Sequence, residues 1–276
     1  MPSVALTNGV TLHWREAGVP DGPPLIWIHG GSVEDSSMMI ADLEPWLDRV
    51  RALLPDTRGH GRSTHFERVE DYTYVRKAED LLLWIDALGV PDAIWGGVSM
   101  GAALSLWIAS HAPSVARAVI SISGPPYAAP ESDRRWWAEH RPLVEAGRIE
   151  DYLDANVRLR MGDDGLARLK AKPERHAELV AVLRRHTTAS LLALLDETYA
   201  RTDWIDECAR IRCPVLVIGG SQDHFPTVTM SRRVAETIPH ARLHVVHGGP
   251  HFPNRTHRAE VQAVIGTFLT EIGVLA

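Results

Sequence analysis

Gly97-Val98-Ser99-Met100-Gly101 stands between the short run AIWGG, Ala93–Gly97, and the longer run AALSLWIASH, Ala102–His111. The first run reads as a buried strand and the second as a helix. A serine framed by glycines at such a junction fits G-x-S-x-G in the strand–turn–helix setting that gives the pattern meaning. A turn this sharp leaves no room for side chains beside the serine, which is why glycines flank it and Ala102 and Ala103 follow. It lifts the hydroxyl above the carboxyl edge of the sheet. It also sets the Met100 N–H at a helix N-terminus, where the dipole favours an oxyanion. Ser99 is the candidate nucleophile.

The same alternation continues on both sides. Strand candidates are Val10–Glu16 after the Asn8-Gly9 turn, Leu25–His29, Val50–Leu54, Val115–Ile122, Val215–Ile218 and Arg242–Val246. Helical spacing falls between them, in Tyr72–Leu88 (Val75, Ala78, Leu82, Ile85), Thr227–Ile238 and His257–Ile272. Strands alternating with helices predict an α/β fold with a mostly parallel sheet. The pattern breaks after Gly124-Pro125-Pro126: from Pro126 to Cys208, 29 of 83 residues are charged, in helix-forming runs such as Leu179–Tyr199. The expectation is a sheet core from residues 1–125 and 209–276, with residues 126–208 inserted as a helical cap.

Composition removes whole classes of function. A net charge of −6 offers no basic footprint for nucleic acid or an anionic membrane. No run of roughly 18 apolar residues suits a membrane span, and MPSVALTNGV shows no basic start before an apolar stretch. Cys208 and Cys213 are too few for a disulfide framework or a zinc site and read as reduced, buried thiols. The expectation is a cytoplasmic protein acting on a small molecule.

Four motifs, in order, resemble those of the α/β-hydrolase superfamily: His29-Gly30-Gly31, Asp56-Thr57-Arg58-Gly59-His60-Gly61-Arg62-Ser63, the Gly97–Gly101 turn, and Gly220-Ser221-Gln222-Asp223 followed by His251. The likeness covers nearly the whole chain outside the inserted segment. It implies a central sheet flanked by helices and an order Ser…Asp…His of catalytic residues. It also implies an oxyanion hole from the backbone N–H groups of Met100 and Gly31, with Ser32 as the fallback for Gly31. His29 then organises its loop, while Asp56 and Arg58 tie the next loop to its neighbours.

The residues fit the order that the resemblance implies. A serine hydroxyl attacks only when a histidine takes its proton, and that histidine needs a carboxylate to fix its tautomer. Asp223 lies in a polar turn just beyond Val215–Ile218, at a strand's carboxyl end where open α/β sheets bind ligands. The corresponding stretch after Val115–Ile122 reads Ser123-Gly124-Pro125-Pro126 and offers no carboxylate. His251 follows a flexible Gly248-Gly249-Pro250 link and is preferred as base over His247, which ends the last strand.

The expected chemistry is hydrolysis of a carboxylic ester or lactone without metal or cofactor. A carbon–carbon bond hydrolase, a cofactor-free perhydrolase or haloperoxidase-like enzyme and an acyltransferase would share these residues, and a non-catalytic receptor would share the fold. Haloalkane dehalogenases and epoxide hydrolases are disfavoured, because Ser99 stands where they attack with aspartate. Trp136, Trp137 and Tyr127 in the cap, with Tyr152 and the Met38-Met39 pair, suggest an apolar pocket for an apolar acyl substrate.

Overall fold

The computed structural model describes residues 2–275. Eight strands form one sheet: β1 Ser3–Ala5, β2 Thr11–Gly18, β3 Pro24–Ile28, β4 Arg51–Pro55, β5 Ala93–Val98, β6 Ala116–Ile122, β7 Val215–Gly220 and β8 Ala241–Val246. Their order is β1-β2-β4-β3-β5-β6-β7-β8. Every neighbouring pair from β4 to β8 is parallel; among the described strands only β2 runs the other way, antiparallel to both β1 and β4 at one edge. Among the described residues ten α-helices accompany them: α1 Ile40–Leu43, α2 Tyr74–Ala87, α3 Met100–His111, α4 Glu131–Glu145, α5 Ile149–Lys170, α6 Pro173–Leu183, α7 Thr188–Ala200, α8 Val228–Thr237, α9 Pro253–Thr256 and α10 Arg258–Glu271.

The central strands are apolar at consecutive positions because helices cover both of their faces. Along β3, Ile26 and Ile28 enter the core shared with α2 and α3, while Leu25 and Trp27 enter the opposite core with α10. Between β6 and β7 the described residues form α4–α7 and a short 3-10 segment, with no strand. These helices carry an apolar cluster of their own around Trp137, Tyr152, Leu183, Leu191 and Tyr199.

Three details depart from the sequence reading. The run Leu179–Tyr199 is two helices, because α6 stops at Leu183 and the Thr187 hydroxyl restarts the chain by accepting from Ser190 N at 3.1 Å. β1, too short for a periodic signal, was not foreseen. The buried face of α2 holds Tyr74, Lys77, Leu81, Trp84 and Ile85, whereas Val75 is exposed. That rotation carries a lysine inward.

Candidate active site

Ser99 sits between β5 and α3 with φ 53° and ψ −113°, a left-handed backbone that ordinary residues rarely adopt. Sterics hold the turn. A Cβ on Gly97 or on Gly101 would lie 2.2 Å from the Ile28 carbonyl oxygen, so the end of β3 abuts the turn on both sides of the serine. Ser99 N donates to the Ile122 carbonyl at 2.8 Å, pinning the turn to β6 as well. Met100 begins α3, so its N–H has no intrahelical acceptor.

The loop after β3 comes against this turn: Gly31 and Met100 both border the cavity at Ser99, and a Cβ on Gly31 would stand 3.9 Å from Met100 Cβ. His29 organises the loop. Its Nε2 accepts from Thr57 N at 3.2 Å, which leaves Nδ1–H to donate to the Gly30 carbonyl at 2.6 Å. Glu34, which the sequence reading overlooked, is fully buried; it accepts from Gly30 N at 2.7 Å and pairs with Arg255. Asp56 accepts from Ser36 N at 2.9 Å and Arg62 N at 3.0 Å, joining the loops after β3 and β4. Arg58 forks onto Asp80, with both bonds at 2.6 Å.

Asp223 follows β7, and its Oδ1 accepts from Phe225 N at 3.0 Å. Its Oδ2 lies 2.9 Å from His251 Nδ1, and His251 Nε2 lies 2.9 Å from Ser99 Oγ. A carboxylate can only accept, so Nδ1 carries the ring proton and Nε2 is left to accept from the serine hydroxyl. Burial pushes the Asp223 carboxyl up, but the His251 ring and the Phe225 N–H outweigh it and hold the group below its usual value. Asp223 and His251 are both buried. His247 is exposed, and His244 faces Glu260 at 2.8 Å, away from this chain of bonds.

Residues of α5 and α7, with the loops after β3 and β5, border a cavity of about 60 Å³ at Ser99. Ser32 borders it, with φ 41°. Trp136, Trp137 and Tyr127 do not. Trp137 stacks on Tyr199 at 5.5 Å and donates to Asp196 at 2.8 Å; Trp136 stacks on His140 at 4.3 Å. Tyr127 turns its hydroxyl to the Met230 carbonyl at 3.3 Å, and Met39 is buried beneath the sheet. These side chains build the cap's interior or its seam with the core. Trp136, Trp137 and Tyr127 thus lie away from the cavity, whose wall mixes the apolar Val33, Leu195 and Phe225 with the charged Lys77, Arg160, Arg201 and Glu197. The sequence signal for this wall is Lys77, three positions after Tyr74 on a helix face that is apolar apart from Lys77 and Asp80.

A family model described as alpha/beta hydrolase fold matches residues 23–257. The 3-oxoadipate enol-lactonase 2 of Acinetobacter baylyi is 28% identical over 237 residues, 86% of this chain and 85% of that protein. A haloalkane dehalogenase of Mycolicibacterium paratuberculosis is 31% identical over 150 residues, 52% of this chain and 50% of its own. Among solved structures, the enol-lactonase from Burkholderia xenovorans LB400 superimposes with a TM-score of 0.84 at 25% identity, covering 98% of this chain and 100% of that one. With the sheet order and the family match extending over most of its length, the chain belongs to the α/β-hydrolase fold family.

Proposed function

We propose that this protein is a serine hydrolase acting on a carboxylic ester or lactone through Ser99, His251 and Asp223. The observation that carries the reading is the unbroken hydrogen-bond line from Asp223 through His251 to Ser99, 2.9 Å at each step, ending on the turn after β5. His251 Nε2 takes the hydroxyl proton as Ser99 Oγ bonds to the carbonyl carbon, and the carbonyl electron pair moves onto its oxygen. The Met100 and Gly31 N–H groups receive that oxyanion; a donor in such a position typically lowers the barrier by ~3 kcal/mol. Collapse expels the alkoxide, which takes the proton from His251. Water, deprotonated by the same ring, then attacks the acyl-enzyme and frees the acid. In a lactone the alcohol and acid leave as one molecule.

Similarity to the enol-lactonases along most of the chain supports ester or lactone cleavage, and Ser99 supports attack by a hydroxyl rather than a carboxylate. Replacing Ser99 with alanine should abolish both 4-nitrophenyl acetate hydrolysis above background and labelling by a fluorophosphonate. An active, labelled Ser99→Ala protein would refute the proposal.

A further inference from the structure

Three cations reach the cavity at Ser99: Lys77 from α2, Arg160 from α5 and Arg201 just beyond α7; Glu197 is the one carboxylate outside the Ser–His–Asp line on that wall. They are unequally compensated. Arg160 has Asp133 behind it at 3.3 Å, with His224 at 3.4 Å from the same nitrogen. The Lys77 ammonium donates to the Tyr72 carbonyl, and the nearest Glu197 oxygen is 3.5 Å away. Arg201 has no carboxylate within ion-pair distance among the described residues. Its NH1 donates to the Tyr74 hydroxyl at 2.6 Å, and its buried Nε has no acceptor.

A cation removed from water is stabilised only by a counter-charge or by acceptors that replace the lost hydration. The wall supplies this for Arg160 and in part for Lys77; Arg201 is half-buried, with the Tyr74 and Phe225 rings beside its guanidinium but no carboxylate. Tyr74 connects the two unbalanced groups: Lys77 Nζ stands 5.7 Å and the Arg201 guanidinium 5.5 Å from its ring centroid. On the wall away from the Ser–His–Asp line, Lys77 and Arg201 thus face a single carboxylate, Glu197, among the described residues. Burial depresses the Lys77 ammonium against the pull of Glu197, and an anion beside it would oppose that depression.

We infer that the substrate carries a carboxylate in addition to its scissile carbonyl, and that Arg201 binds it from a cationic wall completed by Lys77 and Arg160. Arginine suits the role, because a planar guanidinium matches a carboxylate and keeps its charge when buried. This assignment rests on the ester or lactone reading and narrows it to anionic acyl compounds. It replaces the apolar substrate expected from the cap aromatics.

The test compares monomethyl glutarate with dimethyl glutarate, which differ by the charge at the far end. The wild-type protein should favour the half-ester in kcat/KM. Arg201→Gln should lower that preference by about 10- to 100-fold, the scale of a hydrogen bond to a charged group, and Arg201→Lys should restore part of it. A wild-type preference for the diester, or a preference unchanged in Arg201→Gln of normal melting temperature, overturns the inference. Calorimetry on the Ser99→Ala protein separates this from the catalytic proposal. There succinate, glutarate or adipate should bind at millimolar concentration, more weakly after Arg201→Gln, while the matching diamides should not. Failure of all three diacids overturns the anion site whatever the fluorophosphonate result.

Discussion

Asp223→Asn tests the catalytic reading with the least change of shape. The two carboxylate oxygens have separate partners: Oδ1 accepts from Phe225 N at 3.0 Å and Oδ2 from His251 Nδ1 at 2.9 Å. An amide has one oxygen and must fail one of them. If its NH₂ faces His251, Nδ1 must become the acceptor and the proton moves to Nε2, which can no longer take the Ser99 proton. If its NH₂ faces Phe225 instead, two donors meet in a buried turn at roughly 1–3 kcal/mol, and the negative charge that steadies the imidazolium is still gone. The first arrangement keeps the loop bond and should prevail. A wrong tautomer in such a triad lowers turnover by about 10⁴, or ~5.4 kcal/mol at 1.36 kcal/mol per decade. The assay is initial-rate hydrolysis of 4-nitrophenyl acetate near neutral pH, with thermal melts to confirm folding. A folded Asp223→Asn protein retaining more than about a tenth of wild-type kcat/KM would refute the assigned role.

Two further outcomes concern stability. Asp80→Asn leaves the almost fully buried Arg58 without its counter-charge and should cost about 3–5 kcal/mol; for a chain of 276 residues that is a melting-temperature fall of roughly 5–9 °C by calorimetry, and a fall below about 2 °C would contradict it. Burial depresses His60 well below its usual value and also lowers His65, while His186 is pushed down to about 3. The unfolded chain therefore binds protons near pH 6.5 that the native one refuses, so this stability is complete above that pH and declines on acidification, by about 1.4 kcal/mol per pH unit for the fully buried His60 alone. Urea melts between about pH 7.5 and 5.5 should show the decline before the depressed carboxyls Asp35, Asp133 and Asp223 protonate at lower pH, and a flat midpoint would contradict it.

What the sequence revealed, it revealed through local constraints. β3 and β5 were legible because strands covered on both faces are apolar without interruption, and the serine turn because its glycines answer to one carbonyl, that of Ile28. Asp223 and His251 were placed by their position beyond strands, which the parallel sheet converts into proximity. The cavity wall obeys no such rule. Lys77, Arg160 and Arg201 come from three places spread over more than a hundred residues, and in a segment where 29 of 83 residues are charged a single arginine looks like part of a solvated face. The tryptophans misled for a related reason. A cap with its own apolar cluster needs its largest side chains inside it, so Trp137 packs on Tyr199 rather than over Ser99.

Some contacts between α4–α7 and the sheet's side of the molecule fall on or near the loops that hold Ser99 and His251. Arg185 of the cap reaches Asp35 at 2.5 Å in the loop after β3, and Ser190 meets the Tyr72 hydroxyl at 2.9 Å. The Arg160 carbonyl accepts from His251 N at 3.4 Å, at the outer limit of a hydrogen bond. Arg160 therefore faces the cavity with its guanidinium and the base with its backbone. The cavity of about 60 Å³ is far below the ~300 Å³ or more of a typical ligand site. Ser99 is held from the sheet side, by β3 and β6, whereas the Arg160 backbone that meets His251 belongs to α5, so the long bond between Arg160 and His251 is where the sheet's loops and the inserted helices join.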